Sequence, residues 1–397
     1  MKCGDVYFSL LWDSRENYEE WLGSGNGRGE YITDLNLEYL YEEIQRLSGY
    51  GEQYDWEKIF LHPCTRVSTV LHRQGIMQRL WEDPSLYGAA RDFISSVSGM
   101  RKKMGRVCGM NDERKKRLCF LQAAETFFTE MEGLYERTDR GRDWKPGLAE
   151  GIRRLADCIA GSSAKKERAV LSDCLQKLCR YAPQNLILNK DKTQACHNIV
   201  IVPGPPKNIL DSYTGRLREA AEFFLGEYDF SLDVYQDMDI TCLDQKLMEY
   251  TYAQAGETRN EIDIIYEKYR DFDFFPFISL ADELVFYLSC IHFRREYEKE
   301  GFYFTMPCFG TERTCVKGAY DMLLGVNLFK NGEGCRPVSN DYAFHRGASW
   351  FILTGANQGG KTTFIRSIGL IQCLAQTGMF VPAEEAILKA VGHIHTF

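Results

Sequence analysis

The stretch Thr354-Gly-Ala-Asn-Gln-Gly-Gly-Lys-Thr-Thr363 constrains the fold more than any other, because Gly355, Gly360, Lys361 and Thr362 match GxxxxGK[ST] at every fixed position. That pattern carries chemistry only between a strand and a helix, and both are predicted around it. Trp350 to Leu353 is a bulky apolar run suited to a strand. Lys361 to Gln376 repeats apolar residues at helical spacing (Phe364, Ile365, Ile368, Ile371, Leu374, Ala375), with Gly378 as the residue that closes the helix. In such a setting Gly355, Gly359 and Gly360 let backbone N–H groups turn inward around a phosphate, and the helix N-terminus adds its positive end. Lys361 would bridge β- and γ-phosphate oxygens, and the Thr362 hydroxyl would take one position on Mg²⁺. The candidate site for ATP is therefore Gly355, Ala356, Asn357, Gln358, Gly359, Gly360, Lys361, Thr362 and Thr363, with Thr362 as metal ligand.

Hydrolysis needs more than this loop. An acidic residue at the end of a second strand must hold the Mg²⁺ shell. The one superficial candidate is Phe275 to Glu283, an apolar run ending in Asp282 and Glu283. Leu280, Leu284, Leu288 and Ile291 continue at helical spacing through both acids, which favours the exposed face of a helix.

No apolar run approaches the roughly 20 residues that span a bilayer, and the short N-terminal apolar patch is broken at once by Asp13, Arg15 and Glu16. A cytoplasmic chain without membrane contact is the expectation. The 14 cysteines are scattered without a CxxC pair, which points to reduced, buried thiols, and none of the 7 histidines has metal-ligand spacing to a cysteine or carboxylate.

Before about residue 300 the periodicity is helical. Asp34 to Leu47 (apolar at Leu37, Leu40, Tyr41, Ile44, Leu47) and Arg66 to Pro84 (Val67, Val70, Leu71, Ile76, Met77, Leu80) are amphipathic, with Asp34 placed to cap the first and Pro84 to limit the second. Helices are also predicted for Lys115–Tyr135, Gly147–Ala160, Arg168–Tyr181, Thr214–Phe224, Leu243–Tyr269 and Ser279–Glu298. Leu186–Leu188 and Ile199–Val202 read as a small hairpin closed by Pro203 to Pro206. After Glu300 the segments Gly301–Phe309, Ala319–Phe329 and Ser349–Gly355 are short, aromatic and β-prone. The fold expected is multidomain: an N-terminal segment over 1–29, a mainly α-helical core over 30–300 with a β insertion near 185–206, and the first part of a P-loop α/β domain over 301–397.

The net charge of −8 excludes a uniformly basic nucleic-acid binder, yet Arg101 to Arg117 holds eight basic residues against two acidic ones. Arg101, Lys102, Lys103 and Lys115 are candidate DNA contacts. The same cluster is equally compatible with a solvated helix face, since no aromatic residues interleave with it.

Phe351 to Leu388 resembles the start of the MutS ATPase domain, whose pattern runs approximately TGPN-x-GGKST, then Arg, then a helix ending before Gly and VPA. Thr354, Gly355, Asn357, Gly359, Gly360, Lys361, Thr363, Arg366, Ala375, Gly378, Val381, Pro382 and Ala383 stand where that pattern wants them. Ser339 to Asp341 is similar to the family's PND turn, and His62 to Pro84, with Arg73 and Gln74, to its lever-helix region. The resemblance implies a helical core and lever, ATP and Mg²⁺ at the loop, double-stranded DNA as partner, and a homodimer when full-length. The chain departs from the pattern where Pro337 replaces the adenine-stacking aromatic, with Tyr342 as its substitute, and where Ala319-Tyr320-Asp321 replaces Arg-His-Pro. It begins with only about thirty residues before the lever, so direct mismatch reading is not among the expectations. His393 to Phe397 looks like the strand that begins the next part of the domain, so the expectation is a chain that stops before the Walker B acids, and weak or absent ATP turnover by residues 1–397. Two other readings stand beside this one: a P-loop ATPase of the ABC or SMC type, which should show long heptad arms, and a non-catalytic scaffold with an inert pocket.

Overall fold

A computed structural model describes residues 9–23, 29–50, 56–108, 113–139, 164–179, 183–190, 196–203, 256–270, 275–310, 313–332, 336–344, 350–356 and 359–396. In chain order the elements are α1 (Arg15–Gly23), α2 (Glu30–Asp34), α3 (Leu37–Ser48), α4 (Glu57–Leu61), α5 (Val67–Glu82), α6 (Pro84–Cys108), α7 (Glu113–Asp139), α8 (Ala164–Cys179), β1 (Pro183–Lys190), β2 (Cys196–Pro203), α9 (Gly256–Tyr269) and α10 (Phe275–Lys299). They continue with β3 (Cys308–Phe309), β4 (Thr314–Ala319), α11 (Met322–Lys330), β5 (Asn340–Phe344), α12 (Lys361–Thr377) and β6 (Glu385–Leu388). The expected helices over Gly147–Ala160 and Thr214–Phe224 lie outside the described residues, as does the first half of the one over Leu243–Tyr269.

The chain divides into two compact units. The first takes the described parts of 95–136 and 152–274. Its helices α7, α8 and α9 enclose Leu121, Phe127, Phe128, Met131, Leu171 and Ile262, all fully buried. Ion pairs run between them, Arg117 to Asp263 at 2.6 Å and Lys268 to Glu167 at 2.6 Å. The expected hairpin is present, with β1 antiparallel to β2 and Leu186 opposite Ile201 and Leu188 opposite Ile199.

The second unit takes the described parts of 9–94, 137–139 and 275–396. The apolar periodicity of α3, α5, α10 and α12 supplies its core: Leu37, Leu40, Ile44, Val70, Met77, Phe286, Leu288, Leu370 and Ile371 are almost wholly excluded from solvent. Val67 and Leu71 instead face out, at 37% and 46% exposure. Asp34 does not cap α3: it closes α2, and Asn36 enters α3 through a left-handed turn, φ 51° and ψ 44°. Pro84 does end α5, and Asp83 then caps α6 by accepting from the N–H groups of Ser85 at 3.0 Å and Leu86 at 3.1 Å. The thiols of Cys64, Cys290 and Cys373 are buried and free, and burial pushes that of Cys373 up to about 12.

A mixed four-stranded sheet completes this unit in the order β3-β6-β4-β5. β3 is parallel to β6, while β4 is antiparallel to both β6 and β5. Three β expectations are corrected. Trp350 to Leu353 joins no strand, and the four residues are 76%, 62%, 78% and 44% exposed. A strand exists only through its ladder, and no described strand pairs with this run. Met322 to Lys330 is a helix, nucleated by the Asp321 cap rather than by β propensity. His393 to Thr396 likewise forms no strand. The chain is thus mostly helical among the described residues, with one hairpin and one small mixed sheet.

Candidate functional site

The helix expected after the loop is present as α12, and the strand expected before it is not. Gly360 sits at the N-cap of α12 with φ 77° and ψ 7°, a conformation that a residue bearing a Cβ adopts at a cost. Gly355 and Gly359 lie outside the left-handed region. The Gly359 N–H donates to the Ala356 carbonyl at 3.1 Å, which closes a tight turn, and the Phe364 N–H donates to the Gly360 carbonyl at 2.9 Å, which starts the helix. Gly360 has no side chain with which to cap α12, so the N-terminal N–H groups of the helix lack the usual acceptor at that position. The Lys361 ammonium folds back over the loop and donates to the carbonyls of Gly355 at 2.7 Å and Ala356 at 2.5 Å.

These groups face a cavity of about 500 Å³ whose walls include Leu353, Thr354, Gly355, Gly359, Gly360, Lys361 and Thr363. Thr362 is exposed and stands outside that lining, whereas Thr363 lies within it. Asn357 and Gln358 lie outside the described residues. Tyr342 does not line the cavity. Its ring packs against Phe344 at 5.9 Å and Phe364 at 6.3 Å, and burial raises its hydroxyl pKa above the ordinary value.

The same lining includes Asp321, which the sequence presents only as a departure from the Arg-His-Pro segment. Asp321, 2% exposed, accepts at Oδ1 from the N–H groups of Leu323 at 2.9 Å and Leu324 at 3.2 Å. Its Oδ2 accepts from Arg366 of α12, at 2.7 Å from Nε and 2.6 Å from Nη2. The signal available in the sequence is an Asp directly before an apolar run, an N-cap pattern hidden by the β-prone composition of Ala319 to Phe329. Asn340 and Asp341, read in the sequence as part of a turn, instead open strand β5, and Asp341 accepts from the Gly318 N–H at 2.8 Å.

The far end of α12 is clamped. Gly378 ends the helix at φ 94°, Gln376 Nε2 donates to the carbonyls of Cys64 and Val391 at 3.0 Å each, and the wholly buried Arg73 of α5 donates through Nη1 to the Thr377 carbonyl at 3.3 Å. The candidate DNA residues lie on other elements: Arg101, Lys102 and Lys103 within α6, and Lys115 in the first turn of α7. Asp282 and Glu283 are in α10 as the periodicity requires, but Glu283 is not on an exposed face. It is partly buried and accepts from Ser9 Oγ at 2.7 Å and the Leu10 N–H at 2.6 Å.

Comparison with known proteins places this geometry. The family profile of MutS domain V matches residues 351–397, the segment that enters the glycine-rich loop and carries α12 and β6. A DNA mismatch repair protein MutS from Thermotoga maritima is 38% identical over 93 residues, 23% of this chain and 11% of that protein. A DNA mismatch repair protein MutS from Prochlorococcus marinus is 51% identical over 59 residues, 15% of this chain and 6% of that protein. The DNA mismatch repair protein MSH2 of Arabidopsis thaliana is 54% identical over 53 residues, 13% of this chain and 6% of that protein. The matched stretches therefore span about a tenth or less of these relatives. The domain V match falls on the loop, its helix and the strand beyond, and the relatives share one family name, so it is this C-terminal stretch that is similar to the MutS family.

Proposed function

We propose that the Thr354–Thr363 loop binds the phosphates of ATP with Mg²⁺, and that nucleotide state governs how a MutS-like protein engages double-stranded DNA. The observation that carries this reading is the Lys361 ammonium lying across the loop at the uncapped N-terminus of α12, beside a cavity of about 500 Å³. The residues fit the group. Two backbone carbonyls hold a cation that phosphate oxygens would hold better, and the first-turn N–H groups and the helix dipole favour an anion at that spot. Bound Mg²⁺ would neutralise phosphate charge, with the Thr362 hydroxyl as its protein ligand in accord with the loop pattern. Residues 301–397 would act as the nucleotide part, residues 30–300 as the helical part, and the full-length protein as a homodimer on DNA. The DNA half of the reading rests on the names of the relatives and on the basic run Arg101 to Arg117. The test is titration of a fluorescent ATP analogue with Mg²⁺ against the wild-type chain and Lys361→Ala. Loss of the cation should weaken binding at least roughly tenfold, a change of about 1.4 kcal/mol. Equal binding by the two proteins would overturn the assignment.

A further inference from the structure

We propose that Asp321 is a positioning residue for the phosphate loop, acting through Arg366, an inference that rests on the reading of that loop as a phosphate site. The helix that carries the loop is held unevenly. Its second half is buried from Leu370 onward, apart from Gln372, and is clamped at Gln376, Thr377 and Gly378. Its first half is not: none of Lys361 to Arg366 is buried, and Thr362 and Ile365 are exposed. Among the described residues, the side-chain ion pair that joins this open half to the rest of the unit is Arg366 with Asp321. A rod fixed at one end is aimed by whatever holds it nearer the other. The field and N–H groups of a helix terminus act only within its first turn, so a small swing there changes how a phosphate is met.

Asp321 is itself held on both carboxylate oxygens. Its side chain is 1% exposed, and its other oxygen caps α11 through Leu323 and Leu324, so the pair joins the N-cap of α11 to the second turn of α12. That geometry also separates positioning from metal binding. Oδ1 accepts two backbone N–H groups and Oδ2 accepts two guanidinium nitrogens, which uses the acceptor capacity of the carboxylate.

The experiment is a double-mutant cycle on the full chain, read by titration with the fluorescent ATP analogue and Mg²⁺ and by amide hydrogen exchange along α12. Asp321→Asn keeps the cap on α11 while removing the charge that holds Arg366, and Arg366→Met removes the other partner. Each single variant should bind roughly tenfold more weakly, a change of about 1.4 kcal/mol, and the double variant no worse than either. Arg366→Lys, which keeps the charge, should recover most of the affinity, a rescue that a purely structural role would not require. Exchange should quicken over the first two turns of α12 in Asp321→Asn and stay unchanged over Gln372 to Thr377. Wild-type binding that is lost in Lys361→Ala but unaltered in Asp321→Asn and Arg366→Met would sink this proposal and leave the phosphate reading standing. No binding by the wild-type chain would sink both.

Discussion

Arg73 and Gly378 are packed so closely that a Cβ on Gly378 would lie 2.6 Å from Arg73 Cβ and 3.3 Å from its Cδ. Gly378 also has φ 94°, which few side-chain-bearing residues adopt. Gly378→Ala should therefore destabilise the protein by roughly 2 kcal/mol or more, from backbone strain and a clash the buried arginine cannot relieve. The midpoint of urea unfolding measures it; a midpoint equal to wild type would show that α5 and α12 can separate at no cost.

Arg73 is wholly buried, stacks over the Trp12 ring at 4.5 Å, and donates to the carbonyls of Leu11 at 2.8 Å and Thr377 at 3.3 Å. Its Nη2 has no partner among the described residues. Arg73→Ala opens a cavity and strands two acceptors, with an expected loss of roughly 3 kcal/mol or more. Arg73→Met keeps much of the volume and removes a cation that is only partly satisfied, so its loss should be smaller, about 1–2 kcal/mol. Reversal of that order in denaturant titrations would mean that the charge matters more than the volume.

Glu283 should make stability depend on pH. Burial is the first cause of its shift and outweighs the donors Ser9 and Leu10 and the charge of Arg73, so its pKa is pushed up to about 7 from 4.5. A carboxyl whose pKa is higher folded than unfolded contributes stability that is fully present below about 4.5 and is lost as pH rises through about 7. Glu283→Gln should flatten the fall in melting temperature between about pH 5 and pH 8 expected of the wild type. Parallel profiles for the two proteins would contradict the shift.

Neutralising Arg101, Lys102, Lys103 and Lys115 together should weaken duplex DNA binding and reduce the salt slope by about 0.9 for each phosphate that is no longer neutralised. Filter binding across a salt series reads both quantities. An unchanged slope assigns the cluster to a solvated face of α6 and α7.

Helical periodicity makes α3, α5, α10 and α12 legible in the sequence, because a helix bonds to itself and its buried stripe is written at three- and four-residue spacing. The hairpin β1–β2 is legible for a similar reason, its two apolar runs being close in the chain. Strand readings after residue 300 fare worse. Trp350 to Leu353 has β composition but no ladder, and β4 and β6 pair across some seventy residues, as with Cys315 opposite Ile387.

The sequence by itself determined the loop, its lysine and the helix behind them, since spacing, glycine placement and apolar period are local properties of Gly355 to Gly378. Only the tertiary structure decided that Asp321 meets Arg366, that Arg73 is sealed against Gly378, and that Glu283 is drawn inward to Ser9 and Leu10. Each of those contacts joins residues tens to hundreds of positions apart, and their energies come from burial and charge pairing that no short window of sequence contains.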